Sequence, residues 1–294
     1  MKKEAKGTAP ARKKKQSQWK MVVRRLMKNK IAMLGLFILI IIILACLFAP
    51  LIAPYSATEM DYANILSTPS KEHWFGCDAL GRDIFSRILY GGRYSLALGF
   101  AGSMFGSLIG LVFGLIAGYA GGQTDMILMR VIDIISAIPG MLLAIIISTA
   151  LGSGFFNTVI ALSVGSIPGT IRQVRALCLK EREQEYIEAC RANNCSHIKI
   201  MFKHMLPNII SPMIVGMTMG IGMTIMSASG LSFIGLGIQP PTPEWGAMLS
   251  DGRSYVLLYP HLMLFPGLAI TLLVLSVNLL GDGLRDALDP RLKD

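Results

Sequence analysis

Apolar runs long enough to cross a lipid bilayer recur along this chain, and they constrain its fold more than any other feature. The first run, residues 31–52, is almost wholly aliphatic. At about 1.5 Å of helical rise per residue, it spans the roughly 30 Å of hydrocarbon in a membrane. A backbone in lipid must satisfy its own hydrogen bonds, which favours helices. Further apolar segments follow at residues 95–119, 126–151, 155–174, 207–234 and 261–280. We therefore predict an all-α integral membrane protein with six transmembrane helices.

The distribution of positive charge predicts how these helices are oriented. Residues 1–30 carry 12 of the 28 Lys and Arg residues. With six spans, 23 of the 28 fall on the side of this tail and five on the other side. Because Lys and Arg collect on the cytoplasmic side, both termini are predicted to be cytoplasmic. The net charge of +10 then reflects a juxtamembrane tail that favours anionic lipid, and it implies no nucleic-acid partner.

The chain divides into three parts by composition. Residues 1–30 are a basic cytoplasmic tail, with disorder predicted up to about residue 18. Residues 31–93 hold the first transmembrane helix and an external segment, which includes an interfacial amphipathic helix that a Gly-Gly pair ends. Residues 94–294 form the transmembrane core, in which residues 181–206 are a cytoplasmic loop.

Small residues line the second transmembrane helix at every fourth position. They are Gly102, Gly106, Gly110, Gly114 and Gly118. Small residues at this spacing let helix backbones approach closely in lipid. Since four residues turn a helix by about 400°, the line drifts around the helix and can serve more than one neighbour. It predicts either static tight packing or a surface on which helices rock.

Two features are expected to shape the third helix. Pro139 and Gly140 predict a kink. Arg130 and Asp133 are three residues apart and are predicted to pair along the helix. The fourth helix, residues 155–174, is polar enough that it should face other helices or a water-filled path.

Five methionines give the fifth helix a soft, adaptable surface, which suits either generic packing or a pathway for varied substrates. They are Met213, Met217, Met219, Met223 and Met226.

The longest polar segment, residues 181–208, lies between the fourth and fifth helices. Apolar residues at helical spacing predict two short amphipathic helices, the second with Ile198, Met201, Phe202 and Met205 on one face. Asn194 falls between them, and Asn tolerates the left-handed conformation that ends a helix. Pro207 is then placed where a helix begins. Such a projecting segment suits docking into a groove of a partner protein, although an ordinary solvated loop fits the periodicity equally well.

Six residues of this segment resemble the EAA loop of ABC importer permeases, E-A-A-x-x-x-G followed by L-P. They are Glu188, Ala189, Cys190, Asn194, Leu206 and Pro207. In that family the loop is the pair of coupling helices that sits in a cleft of the ATPase subunit. Cys190 stands where the second Ala is usual and Asn194 where Gly is usual, and both changes keep the mechanical role.

Three further strings strengthen the resemblance, which covers about residues 20–294. They are GCDALGRD at 76–83, LSFIGLGIQPPTPEWGAML at 231–249 and GDGLRDALDPRL at 281–292. Together they resemble the dipeptide, oligopeptide and nickel branch of type I ABC importer permeases. The carboxylates and arginines of the first string are expected to hold local structure. Trp245 in the second could contact a delivering protein or sit in the aromatic belt.

The resemblance implies a set of partners rather than chemistry within this chain. A second homologous permease would complete the pathway, two ATP-binding subunits would dock in the cytoplasm, and an extracytoplasmic solute-binding protein would deliver substrate. ATP would be bound by the partners, because this sequence has no G-x-x-x-x-G-K-[ST] motif. It also lacks H-E-x-x-H and G-x-S-x-G. We thus predict a multi-pass cell-membrane transport subunit, not an enzyme, without cofactor.

Five cysteines with no paired spacing imply neither a disulfide framework nor a zinc site. They are Cys46, Cys77, Cys178, Cys190 and Cys195. No catalytic, cofactor or metal-binding residue is predicted.

Three alternatives stay open beside a di- or oligopeptide permease. A nickel–chelate permease would need no metal ligands of its own, and the four His residues form no mid-membrane cluster. An ATP-independent secondary transporter would predict inverted repeats and buried acids. An intramembrane enzyme would need a nucleophile–base pair at membrane depth.

Overall fold

The computed structural model describes residues 18–288, and their secondary structure is helical. Among those residues the extended pairing is a single isolated bridge between Cys77 and Asp83. The predicted disorder before residue 18 and the C-terminal Arg291 lie outside the described residues. An unpredicted helix occupies the end of the basic tail and packs against the last helix of the chain.

The helices are α1 (Gln18–Lys28), α2 (Lys30–Leu47), α3 (Ala49–Ile52), α4 (Ile84–Ala120), α5 (Gly122–Ser136), α6 (Gly140–Leu151), α7 (Phe155–Arg182), α8 (Glu185–Ala192), α9 (His197–Lys199), α10 (Leu206–Phe233), α11 (Trp245–Gly252) and α12 (His261–Leu288). A π-helix, Ile200–Met205, joins α9 to α10, and short 3-10 turns form at Tyr62–Asn64 and Arg253–Tyr255.

Four helical stretches of the described chain are long and apolar enough to cross a membrane. They are Lys30–Leu47, Ile84–Ala120, His197–Phe233 and His261–Leu288. A bent pair, α5 with α6, makes a fifth when it is counted as one span. With its 28 residues, α7 is long enough to be the sixth, although it is more polar than the other spans. It packs against α4, α6 and α10.

The prediction of a separate interfacial helix before the second span is wrong. One continuous helix of 37 residues, α4, runs through that region. Asp83 begins it by accepting a hydrogen bond from the amide of Ser86, with N–O 2.7 Å. Gly91 and Gly92 do not end the helix, because they are buried within it. A Cβ on Gly92 would collide with the Cys46 sulfur and lie 2.7 Å from the Trp245 ring, so this glycine provides space for neighbours.

The third span differs from its prediction in two ways. The expected kink is a full break, since α5 and α6 meet at an angle of 79°. Gly140 begins α6 where its backbone touches that of Gly165, and a Cβ there would lie 3.1 Å from the Gly165 carbonyl oxygen. The predicted pairing of Asp133 with Arg130 is also replaced, because Asp133 accepts from Arg172 of α7 at 2.8 Å.

The glycine line on α4 faces mainly one neighbour, α7. A Cβ on Gly110 would lie 2.5 Å from the Thr170 Cβ, and one on Gly114 would lie 2.6 Å from the Val174 Cβ. Gly106 and Gly118 meet Ser166 and Cys178 of α7 in the same way. The contacted residues on α7 also recur every four positions. The expected drift to other neighbours appears at Gly102, which meets Thr224 of α10 as well as Leu162.

We predict that Gly114→Ala lowers the free energy of unfolding by about 1–3 kcal/mol, as overpacking does in other cores. The added methyl would also lie 2.9 Å from the Ile171 carbonyl oxygen, and this backbone atom cannot move aside alone. The measurement is denaturant unfolding of the purified protein in detergent micelles. Gly169→Ala on α7 is the matched control, because a Cβ there meets nothing within 4 Å. Equal stability of the two variants would contradict the tight α4–α7 contact.

Candidate functional site

The cytoplasmic loop begins with α8, which is fixed through a single buried side chain. Ile187 is 0% exposed and joins the hydrophobic cluster under the loop, which includes Val174 and Ile209. The next two residues, Glu188 and Ala189, are exposed. The helix therefore packs its apolar side against the transmembrane helices and leaves the Glu-Ala pair exposed.

A tight turn ends α8 and reverses the chain. Asn194 has φ of 54°, the left-handed conformation expected of an Asn at this place. The amide of Asn194 donates to the Arg191 carbonyl at 2.9 Å, and the amide of Cys195 donates to the Cys190 carbonyl at 3.0 Å. These two bonds and the left-handed residue form a Schellman motif, in which the first and last residues are in side-chain contact.

The second half of the loop only partly follows the predicted register. Met205 is 0% exposed as predicted, but Ile198 is 69% and Phe202 is 50% exposed. Ile200, which was not on the predicted face, is 0% exposed. The amide of Leu206 donates to the Met201 carbonyl, five residues back, as in a π-helix. Residues five apart share a face in that geometry, so Ile200 and Met205 are buried together. The predicted second short helix is not separate, because residues 197–205 continue directly into α10. Pro207 lies in the first turn of α10, where the sequence predicted a helix to begin.

Polar contacts fasten the loop to the ends of α4 and α7. The Tyr119 hydroxyl lies 2.7 Å from Nδ1 of His197, and the Arg191 guanidinium lies 5.6 Å from the centre of the Tyr119 ring. The Tyr186 hydroxyl donates to the Glu181 carboxylate and accepts from Asn208 at 2.8 Å.

Loss of solvent, together with the Glu181 carboxylate, raises the pKa of Tyr186 to about 12. Tyr186 therefore stays protonated at neutral pH and keeps this hydrogen bond.

Two arginines at the cytoplasmic end of α7 are paired with acids of α5. Arg175 forms a two-point contact with Asp125, in which Nη2 and Oδ2 are 2.6 Å apart. Arg172 contacts Asp133 at 2.8 Å and the Ser136 hydroxyl at 3.0 Å. These contacts link the helix that leads into the loop with the half-span before the 79° break.

A cavity of about 230 Å³, partly open to solvent, lies beside α4, α6, α7 and α10. Its lining combines hydroxyl, amide and thioether side chains with small residues, and it has no ionisable side chain among the described residues. The polar members are Ser103, Ser107, Ser166, Thr170, Gln173, Thr224 and Ser227, and the thioethers are Met141, Met213, Met217 and Met223. Of the five methionines noted on the fifth helix, Met219 and Met226 do not line it.

A network of charges ties the first external segment to the second. Arg82 contacts Asp78 at 2.7 Å and Asp251 of α11 at 3.4 Å. Arg87 is 1% exposed and lies 3.5 Å from Asp78. These side chains hold structure between the two external segments as well as within the first one.

The two sequence-based interpretations of Trp245 are both wrong. Trp245 is 1% exposed, and its indole donates to the Ile88 carbonyl at 2.9 Å. Glu244, which is fully buried, begins α11 by accepting from the amide of Ala247 at 2.9 Å and also accepts from the Ser95 hydroxyl at 2.9 Å. The pair anchors α11 to the outer end of α4.

The structure brings together three side chains that the sequence analysis did not combine. Donor atoms of Cys190, Cys195 and His204 all lie within 4.8 Å of one another, and each side chain is half-buried. The sequence spacing of Cys190 and Cys195 alone did not indicate this grouping. The missed signal is the position of the two thiols at either end of a helix-ending turn, which brings them into contact.

Comparison with known proteins places the chain among membrane transport subunits. Residues 110–294 match the family described as binding-protein-dependent transport system inner membrane component, and residues 17–69 match the N-terminal TM domain of oligopeptide transport permease C. The chain is 48% identical over 276 residues to the glutathione transport system permease protein GsiD of Escherichia coli O157:H7, covering 94% of this chain and 91% of that protein. The GsiD of Shigella sonnei (strain Ss046) gives the same values.

The fold is also similar to a solved structure. The MetNI methionine ABC transporter, in its inward-facing CY5 native crystal form, aligns with a TM-score of 0.56 at 21% identity. The alignment covers 67% of this chain and 94% of that chain.

We expect Asn194→Gly to keep or raise the free energy of unfolding, because Gly adopts a left-handed φ without strain. Asn194→Val should lower that free energy by about 1–2 kcal/mol, because the branched side chain of Val is strained at this φ. The readout is unfolding in micelles, supported by protease cleavage within residues 181–208. Asn193→Val is the control, since Asn193 has a negative φ of −84°. If Asn194→Val were no less stable than this control, the turn would not depend on the left-handed residue.

Proposed function

The chain belongs to the family of binding-protein-dependent transport system inner membrane components, and from this premise we propose that it forms half of a translocation pathway for di- and oligopeptides. Within the family it is the permease subunit of an ABC importer, a multi-pass protein of the bacterial inner membrane. The observation that carries the substrate proposal is the uncharged polar cavity beside α4, α6, α7 and α10.

The cavity lining suits a substrate made of peptide units. A peptide bond presents one donor and one acceptor, and hydroxyl and amide side chains can pair with either. Thr170 and Gln173 supply such groups from α7, and Ser103 supplies one from α4. The thioethers of Met217 and Met223 adapt to side chains of different shape. Together these groups fit peptides without selecting one sequence.

The names of the similar proteins point to one short peptide as a substrate. The similar proteins of Escherichia coli and Shigella are permeases of glutathione transport systems, and glutathione is itself a tripeptide. A short peptide of this kind is therefore included among the proposed substrates.

A nickel permease is the second candidate within transport. A bare nickel ion binds well to imidazole, and the described lining of the cavity offers no imidazole. A nickel chelate brings its own ligands, so it is the form of nickel that this second candidate would carry. An ATP-independent secondary transporter is disfavoured by the membership of the ABC importer family.

The exposed pair Glu188 and Ala189 is proposed to seat in a groove of an ATPase subunit. Ile187 fixes α8 to a cluster that includes Val174 of α7 and Met213 of α10. The same two helices line the cavity. A displacement of α8 when the ATPases close would therefore move the cavity walls, which is the coupling that alternating access requires.

The proposed assembly contains partners on both sides of the membrane. A second, homologous permease would close the open side of the cavity. Two ATP-binding subunits would hold ATP and contact the coupling loops of both permeases. An extracytoplasmic solute-binding protein would dock over the external segments that Arg82 and Asp251 tie together.

We predict that Glu188→Lys lowers peptide uptake by more than about tenfold, because a reversed charge that meets a like charge across an interface costs several kcal/mol. The substituted chain should still insert in the membrane, since the Glu188 side chain is exposed. The measurement is uptake of labelled peptide by cells that carry only the substituted chain, with membrane insertion checked by fractionation.

Asp282→Lys is the matched charge reversal, because Asp282 is an exposed carboxylate on α12, outside both α8 and the external segments. Its uptake should equal that of the unsubstituted protein. Normal uptake by Glu188→Lys would contradict the coupling assignment, whatever the substrate.

Deletion of this gene is expected to abolish ATP-dependent uptake of labelled dipeptides, oligopeptides or glutathione and to leave labelled nickel uptake unchanged. The four labelled compounds are measured in parallel, and restoring the gene should restore uptake. Loss of nickel uptake alone would replace the peptide proposal with the nickel–chelate one. If none of the four changed, the substrate proposal would be wrong.

A further inference from the structure

The turn that ends α8 brings two thiols together. In its Schellman motif, Cys190 and Cys195 occupy the two positions whose side chains normally make an apolar contact across the helix end. The hydrogen bond from the Cys195 amide to the Cys190 carbonyl, at 3.0 Å, closes this contact. The left-handed Asn194 fixes it in the backbone, so the thiols approach without any rearrangement of the loop.

The π-helix adds an imidazole to the pair. His204 lies in Ile200–Met205, whose first and last residues are fully buried. This anchoring holds the segment against the end of α8. The thiol sulfurs and an imidazole nitrogen of His204 lie within 4.8 Å of one another. π-helical turns often occur at functional sites.

From this geometry we propose that Cys190, Cys195 and His204 bind one thiophilic divalent metal ion, for which Zn²⁺ is the best fit. Zinc takes thiolate and imidazole ligands in tetrahedral sites. Two Zn–S bonds of about 2.3 Å place their sulfurs about 3.8 Å apart, so the two sulfurs need to approach by no more than about 1 Å. Binding converts the two thiols to thiolates and releases their two protons.

Three protein ligands leave the fourth position of a tetrahedral ion open. The three side chains are half-buried, so water or a side chain of another protein can occupy that position. The ion would join the C-terminal end of α8 to the π-helix, across the loop that carries Glu188. The binding itself is independent of the proposed transport function.

The test uses the full chain, purified in detergent with reductant and freed of metal with a chelator. Co²⁺ is the probe, because its thiolate complexes give a charge-transfer absorption band and its tetrahedral complexes give strong visible bands. One Co²⁺ per chain should bind with both signals, and Zn²⁺ should displace it. Absence of the thiolate band, while a thiol reagent counts all five cysteines as reduced, would overturn the proposal.

Substitutions assign the ligands. Cys190→Ala, Cys195→Ser and His204→Ala should each weaken Co²⁺ binding by more than about 100-fold, which exceeds the 10–100-fold typical of residues that only orient a ligand. Cys46→Ala, which removes a thiol buried on α2, should bind as the unsubstituted chain does. Each variant is first required to elute as a folded particle. Binding that survives Cys190→Ala, or that is lost with Cys46→Ala, would contradict the assignment.

Discussion

The backbone contact between α4 and α7 is the constraint on which the rest of the structure depends. Gly110 and Gly114 leave room for Thr170 and Val174, so the two helices lie closer than any larger side chain would permit. In lipid, where apolar burial gives helices little reason to associate, such close packing supplies the attraction. It also explains how α7 can be polar. The hydroxyls of Ser166 and Thr170 line the cavity, and Ser163 donates to the Gly102 carbonyl of α4 at 3.0 Å.

Helix identity could be predicted from the sequence, because an apolar run in lipid has few alternatives to a helix. Helix ends were harder to predict. Gly91 and Gly92 resemble a helix end locally, yet Trp245, more than 150 positions later, determines that they are packing residues. The partner of Asp133 was missed for a similar reason, since Arg172 comes close only after the chain breaks by 79° and folds back.

The part of the candidate site that is set by the backbone preference of one residue could be predicted from the sequence. The part that is set by which residues of the π-helix face inward could not. The left-handed turn followed from Asn194 itself. The π-helix did not follow, because a shift from a spacing of four to a spacing of five residues leaves no mark in composition. That shift buries Ile200 and Met205 and brings His204 beside Cys190 and Cys195. A group of three donors therefore assembled from residues that looked unrelated in the sequence.

The continuity of α4 gives the protein a rigid rod between its two surfaces. Its 37 residues extend about 55 Å, well beyond the hydrocarbon layer. The outer end accepts the Trp245 indole hydrogen bond at Ile88, and the inner end reaches His197 through Tyr119. A tilt of about 5° around the middle would move the two ends in opposite directions by about 2 Å each, by the length of such a helix. Events on opposite faces of the membrane are thus geometrically linked by one undeformed element, with no need for a relay of side-chain rearrangements.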